Sequence, residues 1–331
     1  MYFETALEPV RLKPKHLEQF DLIIVGGGPA GSSAAICAAR AQLKTLVLER
    51  AVMGGQAGMS YHVENLLGFQ DGVLGETLAR TIEKQVLGHE CYVSFETVEQ
   101  IVADNSDIPK AVHTNIGHIY CGKAIVLANG LEPKKLEKPF ETAFLGRGIS
   151  YYAQGDAAFY ADKEVAVIGG GNCACYAADY LSGFVKHLYL IHHSNTVKSV
   201  KTLKEKILNN PKIQCIWDSS LEEVFGIDKV EKIKVVNRMT GQHTWLDVKG
   251  VFLYVGRIPP KDFALPGLRT DEKGFVITDE CMRSNIRGVY AVGDIRSKQI
   301  RQIATAISDG MVAAVNVERD LARKESDSWA S

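Results

Sequence analysis

No stretch of this 331-residue chain stays apolar for the roughly 20 residues that a membrane helix needs. The first twenty residues, MYFETALEPVRLKPKHLEQF, lack the apolar core of a signal peptide. Both absences lead us to expect a cytoplasmic protein that does not span a membrane. Excess charge of either sign is missing too. With 38 basic against 39 acidic residues, there is no electrostatic footprint for nucleic acid or an anionic membrane surface. The seven cysteines are an odd number without paired spacing, so they read as reduced thiols rather than a disulfide framework. Cys37, Cys91, Cys121, Cys215 and Cys281 stand singly, with no metal-ligand spacing, and no metal is expected. The nine histidines gather only at His192-His193, and no serine-histidine arrangement points to hydrolysis.

What the chain does have is a stretch that organises the rest, DLIIVGGGPAGSSAAICAARAQLKTLVLER over residues 21–50. An apolar run at 22–25 predicts a strand. Gly26, Gly27 and Gly28 follow, then Pro29, Ala30 and Gly31, an Ala-rich helical segment at 34–39, and a second strand at 45–48 that ends in Glu49 and Arg50. Each glycine has a mechanical reason. Gly26 allows a tight turn, Gly28 lets the backbone approach a pyrophosphate, and Gly31 lets the helix pack closely on the strand. Phosphates then sit at a helix N-terminus, where free N–H groups and the macrodipole favour negative charge. Glu49, 18 residues past Gly31, is placed to accept hydrogen bonds from an adenosine ribose. A bare GxGxxG is weak. Strand, turn, helix and acid in this order make a dinucleotide site the expectation.

Length predicts about two domains. After a polar lead-in at residues 1–20, which can pack on the surface or on a partner subunit, come Gly54, Gly55 and Gln56, then HVENLLGF with Asn65. Residues 74–87 have helical spacing, with Leu78, Ile82 and Val86 four apart. Short strands are expected over 92–120 and another at 123–127, ending in Ala128-Asn129-Gly130. The opening pattern then recurs. A strand at 164–168 enters Gly169-Gly170-Gly171-Asn172-Cys173-Ala174, the GxGxxA variant, and a strand follows at 188–191. Two such patterns, 143 residues apart by their first glycines, are far more specific than one. Near the far end, YAVGDI delivers Gly293 and Asp294 into a turn before a helix expected at about 302–319.

These residues resemble the low-molecular-weight thioredoxin reductases, over nearly the whole chain. The anchors are GGGPAG (26–31), GGQ (54–56), VENLLGF (63–69), ANG (128–130), GGGNCA (169–174), YVGRIPP (254–260), YAVGDI (290–295) and the Arg301-Gln302 pair. The resemblance implies an α/β protein of two Rossmann-like three-layer dinucleotide-binding domains, the second inserted into a discontinuous FAD domain. The expected extents are 1–136 with 252–331, and 137–251. It implies a homodimer, FAD in the first domain and a pyridine nucleotide in the second. For FAD it points to Gly26, Gly28, Pro29, Ala30, Gly31, Glu49, Arg50, Gly55, Gln56, Asn65, Ala128, Asn129, Gly130, Gly293, Asp294, Arg301, Gln302 and Ile303. Asp294 would hold a ribityl hydroxyl. Gln56 and Asn65 offer neutral amides to the polar edge of an isoalloxazine, and Arg301 and Gln302 would approach its ring.

Two departures from the family matter more than the matches. Where its members carry a C-A-T-C disulfide, this chain reads Tyr152-Ala153-Gln154-Gly155. Thiol-disulfide exchange needs a thiolate and a resolving partner, so ordinary thioredoxin reduction through Tyr152 and Gly155 is excluded and no catalytic residue is assigned. Tyr152 either lies against an isoalloxazine or fills cysteine-sized space. The family's His-Arg-Arg and further Arg, which grip the 2′-phosphate of NADPH, become His192-His193-Ser194-Asn195-Thr196-Val197-Lys198. Neither histidine is reliably charged at neutral pH. The second site, Gly169, Gly171, Asn172, Cys173, Ala174, His192, His193 and Lys198, still suits a pyrophosphate and leaves open NADH, residual NADPH or another dinucleotide such as a second flavin. Cys173 and Cys175, at a helix N-terminus that lowers thiol pKa, are two apart and poorly placed to pair.

The expectation is an FAD-dependent oxidoreductase without the dithiol, exchanging electrons with a ferredoxin- or flavodoxin-like carrier, its pyridine-nucleotide use weakened or lost. Thioredoxin-reductase-like ferredoxin-NADP reductases also lack the cysteine pair, and the tyrosines here look similar to theirs. The alternative is a non-catalytic flavin-binding or sensing protein. Trp329 in the tail is either disordered or a cap on a partner's flavin.

Overall fold

Strand Gln19–Val25 owes its place to four consecutive apolar residues, Leu22, Ile23, Ile24 and Val25, all buried. A run apolar on both faces suits the middle of a parallel sheet covered on each side. In the computed structural model, which describes residues 18–105, 109–260 and 265–327, that is where it lies. Thr45–Leu48 pairs with it in parallel on one side, and Ile119–Leu127 on the other. Tyr92–Ser94 extends the sheet beyond Thr45–Leu48, and Val289–Ala291 runs parallel to the last part of Ile119–Leu127. The early part of that nine-residue strand instead turns antiparallel partners toward it, Lys110–Thr114 and then Val98–Val102. The strands expected to end at 120 and to start at 123 are thus one strand. It stays continuous through Gly122, where a β-carbon would meet Ile23 at 2.9 Å.

Alternation sorts the core, because successive residues of a strand face opposite sides. Leu22, Ile24, Val47 and Val126 pack with Ala34, Ala35 and Ala38 of helix Pro29–Arg40 and with Ala313, Ala314 and Val317 of helix Ile303–Asp327. Ile23, Val25, Leu46 and Leu48 face the other way, onto Val98, Ile101, Val112 and Tyr120 of the antiparallel strands. Helices, parallel sheet and antiparallel ribbon make three layers.

The chain repeats this layering in a second compact unit, residues 133–258, set within the first, which comprises 1–132 and 259–331. Its parallel sheet runs Ile149–Ser150, Gly250–Leu253, Glu164–Ile168, His187–Ile191, Ile213–Ile216. Helix Asn172–Ser182 covers one face through Ala174, Cys175, Ala177, Ala178 and Leu181. The antiparallel strands Ser219–Phe225, Lys232–Asn237 and His243–Leu246 cover the other. The unit boundaries differ from the expected 136/137 and 251/252. Gly250–Leu253 lies inside the second sheet, with a parallel partner on each side, and the Lys134 N–H donates to the Gly256 carbonyl at 3.0 Å. Residues 133–136 and 252–258 therefore belong to the inserted unit. The final helix, expected at about 302–319, runs on to Asp327. The lead-in through Leu17 and the tail with Trp329 lie outside the described residues.

One buried acid organises the antiparallel face of the first unit. Glu96 accepts from Ser94 Oγ and Thr114 Oγ1, each at 2.6 Å, and from Tyr120 Oη at 2.8 Å, with His118 Nδ1 at 3.2 Å. Burial pushes its carboxyl pKa up, but those four hydrogen bonds prevail and hold it below the usual carboxylate range. A depressed folded-state pKa contributes stability that is present above the unfolded pKa and lost as pH falls through the folded one. Glu96→Gln is expected to cost on the order of 2 kcal/mol at neutral pH. Urea unfolding of both proteins should show the gap narrowing as the solution is acidified.

Candidate functional site

The first glycine turn is fitted to its surroundings at three of its four glycines. Gly26 has φ +109°, in the left-handed region, and a β-carbon there would lie 2.4 Å from the Ala128 carbonyl oxygen. On Gly27 it would meet Met53 Sδ at 2.4 Å, and on Gly31 it would come within 1.9 Å of the Gly26 oxygen. Gly28 differs. Its nearest contact would be the Gly55 α-carbon at 4.0 Å, an ordinary distance. Protein packing therefore demands no glycine at 28, and the space that its missing side chain leaves suits a close-lying ligand. Gly28 caps helix Pro29–Arg40 from an extended conformation, with no side-chain cap, so the first N–H groups of that helix point toward this space.

Glu49 holds the turn in shape. Its Oε2 accepts from the Gly27 N–H at 2.7 Å and its Oε1 from the Ala51 N–H at 2.9 Å. The residue expected to read a ribose thus also braces the glycines. Ser32 Oγ donates to the Gly27 carbonyl at 2.9 Å, and the Gly54 N–H donates to that same oxygen at 2.9 Å, which brings Gly55 against Gly28. Arg50, next to Glu49, is exposed.

Each of two neutral amides has a partner that fixes it. Gln56 Nε2 donates to the Leu131 carbonyl at 2.6 Å, and Asn65 Nδ2 donates to Gln302 Oε1 at 3.0 Å, just before helix Ile303–Asp327. The loop around Asn65, Glu64 to Gln70, lines a recess of about 350 Å³. Asn129 Oδ1 is buried and has no hydrogen-bond partner among the described residues. Such an atom is costly to leave unmet. It therefore fits a ligand that donates there.

Asp294 lies in the short 3-10 turn Gly293–Ile295. Arg301, expected to approach a flavin ring, has protein partners of its own. Its guanidinium lies 3.9 Å over the Phe275 ring and donates to the Asp294 and Arg296 carbonyls, so it braces the turn that carries Asp294. Sequence reasoning missed Asp309. This buried acid accepts from the Gly293 N–H at 3.0 Å and pairs with Arg296 at 3.0 Å and Lys298 at 2.8 Å. The signal was an acid inside the small-residue helical stretch AISDGMVAA. Its neighbour Gly310 has no room for a β-carbon, which would lie 2.1 Å from the Ala30 oxygen.

The inserted unit repeats the turn. Gly169, at φ +142°, would clash with the Tyr254 carbonyl at 2.3 Å, and Gly170 would strike the His192 ring at 2.5 Å. Gly171 has no described atom within 4 Å of where its β-carbon would be, and helix Asn172–Ser182 begins there without a side-chain cap. Asn172 Oδ1 accepts from the Val200 N–H instead. A cavity of about 360 Å³ opens at this turn, lined among others by His192, His193, Lys198 and Tyr254. Lys198 and His193 are exposed, and the Lys198 N–H donates to the Gly170 carbonyl at 2.7 Å. His192 is buried, and burial first, then His193 and Lys198, hold its pKa down. Cys173 is exposed. Cys175 is fully buried, and burial raises its pKa, so the lowering expected from the helix dipole does not hold for it.

Tyr151 and Tyr152 have separate duties. Tyr151 donates to Glu141, a buried acid that also accepts the Leu136 and Glu137 N–H groups. Tyr152 lays its ring on Gly155, where a β-carbon would come within 2.5 Å of Cδ1 and Cε1. Beside it the Ala153 N–H donates to Tyr254 Oη at 3.1 Å, and burial pushes the Tyr254 hydroxyl up to about 12. Among the described residues, no three His, Cys, Asp or Glu side chains gather to hold a metal, and no helix is long and apolar enough to cross a membrane.

The pyridine nucleotide-disulphide oxidoreductase family matches residues 20–310. A Clostridium pasteurianum protein described as the 34.2 kDa protein in the rubredoxin operon is 38% identical, over 94% of this chain and 100% of its own length. The thioredoxin reductase of Treponema pallidum is also 38% identical, over 89% of this chain and 95% of its own. Among solved structures, thioredoxin reductase of Lactococcus lactis in its FR conformation superposes with a TM-score of 0.86 at 36% identity. That match covers 91% of this chain and 98% of the other.

The two open glycines yield a test. Gly28→Ala and Gly171→Ala should leave the thermal midpoint of the ligand-free protein within about 2 °C of the parent, since neither β-carbon would come closer than 4.0 Å to a described atom. Gly31→Ala should lower it clearly. Equilibrium titration should show dinucleotide affinity weakened about tenfold or more by the first two substitutions, each in its own unit.

Proposed function

The chain belongs to the pyridine nucleotide-disulphide oxidoreductase family, and on that premise we propose that it is an FAD-dependent oxidoreductase that works without a dithiol at residues 152 and 155. In this reading it passes electrons between FAD and an external carrier of the ferredoxin or flavodoxin class, with pyridine-nucleotide use weakened or lost. Its fold is thioredoxin reductase-like. The working unit we propose is a homodimer, carried over from the likeness.

The observation that supports this reading most is the Tyr152 ring seated on Gly155. The family's likeness puts two cysteines there. The two residues present instead fit each other, ring on bare backbone, so the site is rebuilt rather than merely lacking sulfur. Seven cysteines remain in the chain, but the one pair close in sequence, Cys173 and Cys175, has one exposed and one fully buried member.

Bound FAD supplies the hydride and one-electron chemistry. The protein's part is to bind and orient. Gly28 and Gly55 leave room for a pyrophosphate at the start of helix Pro29–Arg40, and Glu49 fixes the turn and faces the ribose. Gln56, Asn65 and Gln302 give neutral hydrogen bonds to the isoalloxazine edge without imposing charge. Asn129 Oδ1 accepts one more, and Asp294 holds a ribityl hydroxyl.

A second reading, a flavin-binding protein kept for assembly or sensing, draws on one observation: Lys198 is the one lysine or arginine among the described residues lining the cavity of the inserted unit. Anaerobic stopped-flow mixing separates the two. Reduced ferredoxin is expected to bleach the visible flavin band at catalytic speed, with NADPH far slower. Bleaching by no donor would leave the assembly role. Reduction of a thioredoxin disulfide with turnover would overturn the dithiol-free reading. The packing at 152 and 155 has its own check. Gly155→Ala is expected to destabilise the protein by about 1–3 kcal/mol, and Tyr152→Ala should recover most of that loss in a double-mutant cycle read by denaturant unfolding.

A further inference from the structure

The two glycine turns are register copies of one another. In the first, Gly26 N–H donates to the Leu48 carbonyl at 2.8 Å, and Glu49 follows. In the second, Gly169 N–H donates to the Ile191 carbonyl at 3.0 Å, and His192 follows. Glu49 comes 18 residues after Gly31, and His192 comes 18 after Ala174. Each reaches back to the middle of its own turn. Glu49 accepts the Gly27 N–H, while the His192 ring lies against Gly170. In Rossmann folds the residue at this strand end meets the adenosine ribose.

Their chemistry differs. Both carboxylate oxygens of Glu49 already accept backbone N–H groups. The His192 imidazole is 4% exposed, and neither ring nitrogen has a hydrogen-bond partner among the described residues. Its position is fixed on three sides. The His192 N–H donates to the Ile216 carbonyl, its carbonyl accepts from the Ser219 N–H, and the His193 ring lies 4.3 Å away. It borders the 360 Å³ cavity at the uncapped start of helix Asn172–Ser182. A buried imidazole without partners is costly unless a ligand supplies them.

We propose that the inserted unit takes an adenine dinucleotide whose adenosine ribose carries free hydroxyls, and that His192 reads those hydroxyls. A neutral imidazole has one donor and one acceptor, and a hydroxyl pair can match both. A 2′-phosphate would bring about two negative charges, and Lys198 is the one lysine or arginine among the described residues of the cavity wall. Burial also pushes the imidazole pKa down, which favours the neutral form. This inference rests on reading the inserted unit as a dinucleotide fold. Two ligands share the chemistry, an unphosphorylated pyridine dinucleotide and a second flavin dinucleotide.

The test is binding, not turnover, so it stands or falls apart from the carrier reading. Flavin released from the denatured holoprotein is counted per chain, and NAD⁺ and NADP⁺ are titrated calorimetrically into the native holoprotein. One flavin per chain, with NAD⁺ at least about tenfold tighter than NADP⁺, supports the pyridine source. Two flavins per chain, falling to one in His192→Ala, supports the flavin source. His192→Asn, which keeps a donor and an acceptor, should retain most of the lost binding, and circular dichroism of both variants reports folding independently. NADP⁺ binding as tightly as NAD⁺ overturns the proposal. So does one flavin with neither nucleotide bound, or full binding by a folded His192→Ala.

Discussion

A carbonyl oxygen and a missing side chain decide how the first unit is assembled. The Gly26 oxygen lies where a β-carbon on Gly31 would come within 1.9 Å, so helix Pro29–Arg40 can close on the end of its strand only because residue 31 is bare. The contact propagates. Ala30, carried on the same helical turn, faces Gly293 and Gly310, where added β-carbons would lie 2.8 Å from its Cβ and 2.1 Å from its oxygen. The turn after the last strand and the final helix therefore close on the first helix only because residues 293 and 310 carry no side chain. Interiors packed this closely do not absorb even one extra methyl group without displacement. The turn, the loop carrying Asp294 and the amide of Gln302 are then positioned together.

Two buried acids complete that assembly from opposite ends of the sequence. Glu49 fixes Gly27, and Asp309 fixes Gly293 while neutralised by Arg296 and Lys298. A buried carboxylate is tolerable when its oxygens are filled, and here each oxygen has a partner. Arg301, stacked on Phe275, braces the same loop. Glu49, Asp309 and Arg301 thus hold backbone N–H and carbonyl groups in place. Oriented backbone and neutral amides join Glu49 and Asp294 as the groups offered to a ligand, an arrangement suited to a cofactor whose own electronics carry the reaction.

The sequence made the layering legible wherever a period was clean. The apolar run at 22–25, the Ala-rich helix and the repeated glycine turn each specify one local geometry, and they lie where those patterns require. Less was legible where a contact joins residues distant in sequence. Nothing near Arg301 announces Phe275, and nothing near Gly293 announces Asp309, because both pairings are made by tertiary folding of an otherwise ordinary turn. The unit boundaries slipped for a related reason. Gly250–Leu253 reads as a strand from its residues, but only its partners Glu164–Ile168 and Ile149–Ser150 say which sheet owns it. Burial also reversed one expectation. The helix N-terminus favours a thiolate at Cys175, yet complete removal from water raises that thiol's pKa, and desolvation is the larger effect.

Comparing the two copies shows where the second unit diverges. Backbone constraints are kept: the first glycine of each turn is pressed against a carbonyl, Ala128 in one and Tyr254 in the other. The third small residue relaxes from Gly31 to Ala174, which is buried without such a clash beneath its own turn. The strand-end residue changes most. An acid that closes the first turn with its own hydrogen bonds is replaced by an imidazole that makes none to the described residues. The first turn is held by the protein itself, whereas the second retains a buried donor and acceptor that no group of the described residues meets. Such a group in a folded interior is tolerated at a stability loss of about 1–3 kcal/mol. Its place beside an open glycine and an uncapped helix start makes a bound ligand the physically consistent account of that loss.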